Sequence, residues 1–354
     1  MVDLCSAFAS AGVFPLVIVD HPPLDRLETL RRQGFEPIVL DPEGTTTVPE
    51  YAARLRKCLT HADIRFVHSH AWERKLTIGS TIKSLGIDVV ETLHCTVRGG
   101  ALWLWRNVYC LTRGPLRAYR ARKQFNATNP AVICISDRSL ANFSKLWPRI
   151  RRRKRIYCGT QVPEEAADVA AAPEGINVVW IGSMIERKRP LWGLRLWEDV
   201  CRQFPEARLT MAGAGPELDA VRRTASNKRN VAIPGNVSDV RPLLRNAHIM
   251  LHTSSDEGIP LTIINALNFG IPVVSTDVGA IREAVVHGHN GFLADKDDLP
   301  GLGRHLTALM KDKSLRASMG KCARARGEKL FNIEVCVREV ARAYNEFVGV
   351  YLEM

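Results

Sequence analysis

Glu257 stands in the stretch SSDEGIPLTIINALNFGIPVV, followed at once by Gly258, Ile259 and Pro260, with the polar Asn265 eight positions after the carboxylate. Pro260 suits the first position of a helix, where its missing N–H would be unpaired in any case. Gly270 suits the position just past a helix end. Residues 260–269 are therefore expected to form a helix of fewer than three turns. Its start would expose unpaired N–H groups and partial positive charge, a place for a phosphate. Asn265, about one and a half turns in, would line the same cleft. The plainer alternative is a core helix preceded by a surface acid.

Other groups invite the same question. IGSMIERKRP puts Gly182 at a strand end and Arg187, Lys188 and Arg189 just beyond, where cations would neutralise a diphosphate or simply face solvent. MAGAGPEL places Gly213 and Gly215 between a strand and a helix, letting backbone approach a ligand or merely turning tightly. ETLHCT ends a strand on His94, a candidate general base or sugar ligand. VHSH contributes His68 and His70, expected on opposite faces of a strand. Asp295 and Asp297 have Asp-x-Asp spacing but lie in a polar stretch that reads as a solvated loop. Two basic segments, residues 106–125 and 145–157, mix cations with Trp, Tyr and Leu, which suits an anionic membrane surface. No nucleic-acid motif accompanies them.

The elements that must position these residues alternate. Strands are expected at 14–20, 36–41, 64–70, 88–94 and 131–136, then at 176–182, 207–213, 230–235, 248–254 and 271–277, with helical segments between most of them. That is a parallel, doubly wound α/β pattern written twice. A Pro/Ala/Glu-rich stretch, 162–175, separates the two series, and 354 residues are too many for one ordinary core. The expected organisation is two Rossmann-like domains facing a cleft, with ligands at the carboxyl ends of strands. One departure stands at the front: the chain opens on a helix-like segment, so the first domain lacks its first strand and turn. The net charge of +12 favours anionic partners. Nine scattered cysteines without a Cys-x-x-Cys pair fit a reducing compartment. No apolar run reaches the roughly 18 residues of a membrane helix. Asp3 and the absence of basic residues before the first apolar stretch argue against a signal peptide.

Together these stretches resemble the large retaining glycosyltransferase family of GT-B fold (family 4-like, group 1) that includes bacterial lipid and polysaccharide glycosyltransferases. The resemblance covers most of the chain and is strongest from Gly182 to Leu293. Its hallmark is SSDEGIPLTIINALNFGIPVVSTDVGAIREAVVHGHNGFL, supported by IGSMIERKRP, MAGAGPEL and IPGNVSDVRPLLRNAHIMLHTS. In the first half VHSH, ETLHCT, CISDRSL and KRIYCGTQVP follow the family's order.

The resemblance implies a first domain over 1–160, a nucleotide-sugar domain over 161–336, and a terminal helix over 337–354 crossing back to the first. It implies that Glu257, the first acid of a Glu-x7-Glu motif, contacts the donor sugar. Gly258, Ile259, Leu261 and Thr262 would meet sugar and diphosphate through backbone, Lys188 with Arg187 would hold the diphosphate, and His94 would sit near the reacting centre. No metal and no cofactor are implied: the substrate is a nucleoside-diphosphate sugar, and cations with the helix start supply the countercharge. The acceptor would be a glycan or lipid-linked molecule, and the location cytoplasmic, peripheral on the inner membrane face. Three residues or segments depart from the pattern. Asn265 replaces the second acid, which in the family holds the ribose. Ser183 replaces an arginine. The first strand with its glycine-rich loop has no counterpart. These departures motivate a rival expectation, a non-catalytic partner of GT-B fold with weak or no donor binding.

Overall fold

The computed structural model describes all residues except 1, 11–14, 20–23, 42–45, 61–63, 65, 71–74, 95–122, 124, 171–174, 229 and 353–354. The chain divides into two compact units, residues 1–157 with 336–354, and residues 158–335. No helix of the described residues is long and apolar enough to cross a membrane.

In the first unit, β1 (Ile18–Val19) pairs in parallel with β2 (Ile38–Val39). Four more parallel strands form a separate sheet in chain order: β3 (Phe66–Ser69), β4 (Asp88–Leu93), β5 (Ala131–Cys134) and β6 (Arg153–Arg155). Among the described residues the two sheets are not hydrogen-bonded to each other. They share a core, because Tyr51, Leu55 and Leu59 of the helix Val48–Thr60 pack with Ile18 and Ile38 on one side and Val67 and Val89 on the other. The apolar spacing of that helix is what gives it a single buried stripe. The helix Ile333–Val348 carries Tyr344, which stacks against Phe8 and packs on Phe66.

The second unit holds one six-stranded parallel sheet. Its strands are β7 (Asn177–Ile181), β8 (Arg208–Ala212), β9 (Val231–Gly235), β10 (Ile249–His252), β11 (Val273–Thr276) and β12 (Gly291–Ala294). Their order across the sheet is β12-β11-β10-β7-β8-β9. Successive strands run outward from β7 to β9, and the chain then returns to lay β10 against the other side of β7. The loops after β7 and β10 therefore meet where the winding reverses, the place where doubly wound sheets bind ligands. Val178, Leu209, Ile249, Met250, Leu251 and Val274 are fully buried, as strands covered on both faces require.

The short helix Leu261–Asn268 begins one residue later than the sequence suggests. Pro260 is its cap, with φ −65° and ψ 133°, so the proline's fixed φ serves the extended residue before the first turn. The helix Lys313–Leu330 packs against it through Gly320 and Gly327. A Cβ on Gly327 would lie 2.4 Å from Asn268 Oδ1, and one on Gly320 2.6 Å from the Gly270 carbonyl. Asn268 in turn donates to Thr160 O and Phe331 O, fixing the helix from below.

Candidate active site

Lys188 and Arg187 lie in a 3₁₀ turn, Glu186–Lys188, after β7, and Glu257 lies in the loop after β10. The switch point brings them into contact. Lys188 Nζ is 2.5 Å from Glu257 Oε1, and Arg187 Nη1 is 3.2 Å from Oε2. Glu257 is 7% exposed, Lys188 14% and Arg187 44%, so the carboxylate is enclosed and one cation opens to solvent. Burial alone would push the Glu257 carboxyl up. The Lys188 ammonium, with His252 and Arg187, outweighs burial and holds it below the usual carboxylate range. Two cations against one carboxylate leave the cluster formally positive by one, which attracts an anion.

Backbone staples hold the two loops together. Ser255 N donates to Arg187 O at 2.8 Å, and Arg187 Nη1 donates to Asp256 O at 2.6 Å. The Thr253 hydroxyl, itself taking a hydrogen bond from Trp180 Nε1, donates to the carbonyls of Lys188 and Arg189. Arg189 has φ 50° and ψ 53°, and this left-handed turn sends its side chain away from Lys188. There it binds Lys296 O and Asp297 Oδ1 and lies over Trp192. Asp297, the second acid of the Asp-x-Asp stretch, thus has a structural partner.

His252 sits beneath Glu257, its Nε2 3.7 Å from Oε1 and its ring nitrogens 3.3 Å from the hydroxyls of Ser254 and Ser275. Burial pushes it down to about 4 against the pull of Glu257, so the ring is neutral. The sequence reading missed it, because a histidine closing an apolar strand carries no local mark of the acid five residues later.

The glycines let two loops close on each other. A Cβ on Gly213 would lie 1.8 Å from Gly182 O, and one on Gly215 2.4 Å from Met184 O, at φ 149° and 152°. They let the loop after β8 hydrogen-bond to the loop after β7, as Gly182 N to Ala212 O at 3.0 Å and Met184 N to Ala214 O at 2.8 Å. The expected close approach to a ligand is thus first a close approach of two loops. Gly279 (φ 60°) supports Glu257 in the same way, its Cβ position lying 1.7 Å from Glu257 O. Gly182, Ser183 and Gly213, with Asn236, Val237 and Val240, line a cavity of about 190 Å³ at the ends of β7, β8 and β9.

Gly258 accepts from Ala280 N, Ile259 is buried, and Leu261, 52% exposed, begins the helix whose first amides have no partner within it. Thr262 is half-buried with its hydroxyl oxygen enclosed and unpartnered among the described residues. Asn265 is half-buried on the same helix and makes no side-chain hydrogen bond to the described residues. Arg187, Lys188 and Glu257 are thus one cluster.

His94 follows β4 in the first unit, and its Nε2 is 2.8 Å from His70 Nδ1. His68 and His70 do not face apart. Residues i and i+2 of a strand share a face, and the two rings lie 4.3 Å apart. The basic segment 145–157 makes these contacts. Arg152 donates to Asp88, Phe347 O and Asn129 O, Arg153 to Ile150 O, Lys154 to Glu346 and Arg155 to Asp137, while Lys145, Arg149 and Arg151 are exposed. These hydrogen bonds tie β6 to its neighbours. The other segment, 106–125, lies outside the described residues apart from Lys123 and Phe125.

Residues 175–312 match the family model described as glycosyl transferases group 1. The chain is 30% identical over 156 residues to the N-acetyl-alpha-D-glucosaminyl L-malate synthase of Bacillus anthracis, a match covering 42% of this chain and 41% of that one. It is 25% identical over 195 residues to the poly(glycerol-phosphate) alpha-glucosyltransferase of Bacillus subtilis, covering 54% of this chain and 29% of the relative. These matches span less than half the length of either relative. The structure of Anabaena HepE in complex with UDP and glucose superposes with a TM-score of 0.78 at 17% identity, over 97% of this chain and 95% of that one. A glycosyltransferase from Rickettsia africae gives 0.77 at 14% identity, covering 98% and 93%. The fold is thus that of GT-B glycosyltransferases, and residues 175–312 match the glycosyl transferases group 1 model.

Proposed function

We propose that the protein is a retaining glycosyltransferase that moves a hexosyl group from a nucleoside-diphosphate sugar to a lipid-linked or polysaccharide acceptor. The observation that carries this is the buried Glu257 flanked by Lys188 and Arg187 at the winding reversal of a group 1 domain. When the bond from the sugar to the diphosphate breaks, negative charge grows on the phosphates and positive charge on the ring. Preorganised cations and helix amides stabilise the first. Lys188, Arg187 and the amides at Leu261 and Thr262 supply them, and Glu257 orients the sugar. The first unit supplies His94 on the acceptor side. The names of the relatives, a glucosaminyl malate synthase and a poly(glycerol-phosphate) glucosyltransferase, support sugar transfer to small anionic or polymeric acceptors. Location on the cytoplasmic membrane face belongs to the same proposal.

Calorimetry with a panel of nucleoside-diphosphate sugars tests the donor, and NMR of the anomeric proton of the product tests retention. Micromolar binding of one donor with release of its nucleoside diphosphate in the presence of acceptor is the expected result. Failure of every donor to bind favours the non-catalytic partner.

A further inference from the structure

Three consecutive backbone carbonyls of the cation turn are taken by two residues of one short segment. Arg187 O accepts from Ser255 N at 2.8 Å and from the Ser255 hydroxyl at 3.2 Å. Lys188 O and Arg189 O both lie 2.9 Å from the Thr253 hydroxyl. The indole Nε1 of Trp180, on β7, stands 3.0 Å from the same hydroxyl. Thr253 is fully buried and Trp180 nearly so. The segment continues to Glu257, whose Oε1 lies 2.5 Å from Lys188 Nζ. The stem of Lys188 passes the same tryptophan: a Cβ on Gly182 would lie 3.5 Å from Trp180 Cη2 and 3.9 Å from Lys188 Cδ.

Chemistry fixes the direction of every bond in this chain. An indole N–H only donates and a carbonyl only accepts. The Thr253 oxygen therefore accepts from Trp180, and its single hydrogen is left for the carbonyls of Lys188 and Arg189. Arg189, left-handed at φ 50° and ψ 53°, folds the chain so that two successive carbonyls meet one hydroxyl. Lys188 reaches Glu257 on a flexible four-carbon stem with three rotatable donors at its end. Such a side chain is aimed by its backbone and by the walls along its stem; Thr253 holds the first and Trp180 forms part of the second. Removing the hydroxyl takes the partner from a buried N–H and a donor from two carbonyls, and the turn would shift to recover them.

We propose that Thr253, backed by Trp180, is the positioning residue of Lys188, holding its backbone so that the ammonium stands beside Glu257 before a donor arrives. This inference rests on the transferase reading above, in which Lys188 takes the diphosphate. The benefit is preorganisation: a cation already in place need not be reoriented as negative charge develops on the leaving phosphates. Ser255 holds Arg187 in the same way, so residues 253, 255 and 257 set both cations and the acid in one register.

The test compares Thr253→Val, which keeps the shape and loses the hydroxyl, with Thr253→Ser, which keeps the hydroxyl. Carbon-13 NMR of the Glu257 carboxyl, assigned through Glu257→Gln, reads the placement of the ammonium without any ligand. That carboxyl should titrate alike in the parent and Thr253→Ser, and at higher pH in Thr253→Val and Trp180→Phe. In calorimetry the Kd for uridine diphosphate should rise about 5–20-fold in Thr253→Val, less than the full loss of a hydrogen bond to a charged group because Lys188 is still present, and stay within about threefold of the parent in Thr253→Ser. Trp197→Phe is the control for a weakened core. Trp197 is fully buried in the same unit with its indole nitrogen unpartnered among the described residues, so this variant should lower the melting temperature and leave both readings unchanged. An unchanged Glu257 titration in Thr253→Val overturns the proposal, and so does a serine variant that behaves like valine or a control that moves as far. Should Thr253→Val fail to fold, Trp180→Phe, which removes the donor that holds the hydroxyl, carries the same test, and an unchanged titration there overturns the proposal. If uridine diphosphate binds neither parent nor variants, the transferase reading loses its support by itself, and the Glu257 titration still decides whether Thr253 sets Lys188.

Discussion

Replacing Lys188 by methionine keeps most of the side chain's volume and removes its charge, leaving Glu257 enclosed beside the half-exposed Arg187. Two unit charges about 4 Å apart at an effective dielectric near 20 interact by roughly 4 kcal/mol. Breaking a buried pair typically costs about 3–5 kcal/mol, because the remaining charge keeps its desolvation penalty. Arg187, 3.2 Å from the other carboxylate oxygen but 44% exposed, returns part of this through screened attraction. We expect a net loss of about 2–3 kcal/mol in the second unit, or roughly 5–10 °C in melting temperature. The deficit should depend on pH. In the parent, Glu257 is held below the usual carboxylate range, so its pairing contributes stability above the unfolded carboxyl's pKa and loses it as pH falls through the lower native value. Without Lys188, burial dominates and raises the carboxyl, so protonation relieves the variant as pH drops from 7.5 toward 5 and the gap to the parent narrows. Adding Glu257→Gln to Lys188→Met removes the stranded charge and should restore most of the loss. Thermal and urea unfolding of the parent, both singles and the double at both pH values measure every corner of this cycle. Equal melting of Lys188→Met and parent at pH 7.5, or a double variant no more stable than Lys188→Met, would refute the reasoning.

Asn265→Glu should tighten nucleoside diphosphate binding about tenfold in calorimetry if the ribose lies beside this residue, since charge-assisted hydrogen bonds exceed neutral ones by about that much; a large loss means that corner is built differently. Gly279→Ala, forced into a left-handed backbone against Glu257 O, should cost at least about 1–2 kcal/mol in urea unfolding and weaken donor binding with it. His252 is pushed down to about 4, so the unfolded chain binds more protons between pH 6.5 and 4, and stability should fall with acidification at up to about 1.4 kcal/mol per pH unit; His252→Asn should flatten that slope in unfolding midpoints taken at pH 7, 6 and 5. Replacing Arg151, Arg152, Arg153 and Lys154 together should lower the melting temperature of the first unit, because Arg152 and Lys154 lose Asp88 and Glu346. Arg151→Gln alone should stay within about 0.5 kcal/mol of the parent. In sedimentation with vesicles, binding that is equal for neutral and acidic lipid removes the electrostatic membrane reading.

Elements whose local pattern suffices were legible in the chain. The apolar runs of β7, β8, β10 and β11 are strands buried on both faces, and such strands announce themselves by composition alone. The helix after Glu257 was legible from Pro260 and Gly270, with an error of one residue at its start. β6 was not. Arg153–Arg155 reads as a basic surface, yet it is an edge strand whose cations find Ile150 O, Glu346 and Asp137, partners distant in sequence or hidden in backbone. β12, Gly291–Ala294, was too short and too mixed to separate from the polar loop that follows.

At the site, residue types were readable and partners were not. Arg187, Lys188 and Arg189 are adjacent and chemically alike, and the sequence by itself determined only that cations follow a strand there. The left-handed backbone of Arg189 sends it to Asp297, while Lys188 and Arg187 close on a carboxylate about seventy residues away. The period of a strand puts His68 and His70 on one face, and only the tertiary structure brought Tyr344 to His68 and His94 to His70. The division follows from range. Strand and helix patterns, turns and caps are decided by neighbours within a few residues, so the chain carries them in its text. Which charge meets which acid is decided by strand order and crossovers, and those are set by the packing of the whole unit.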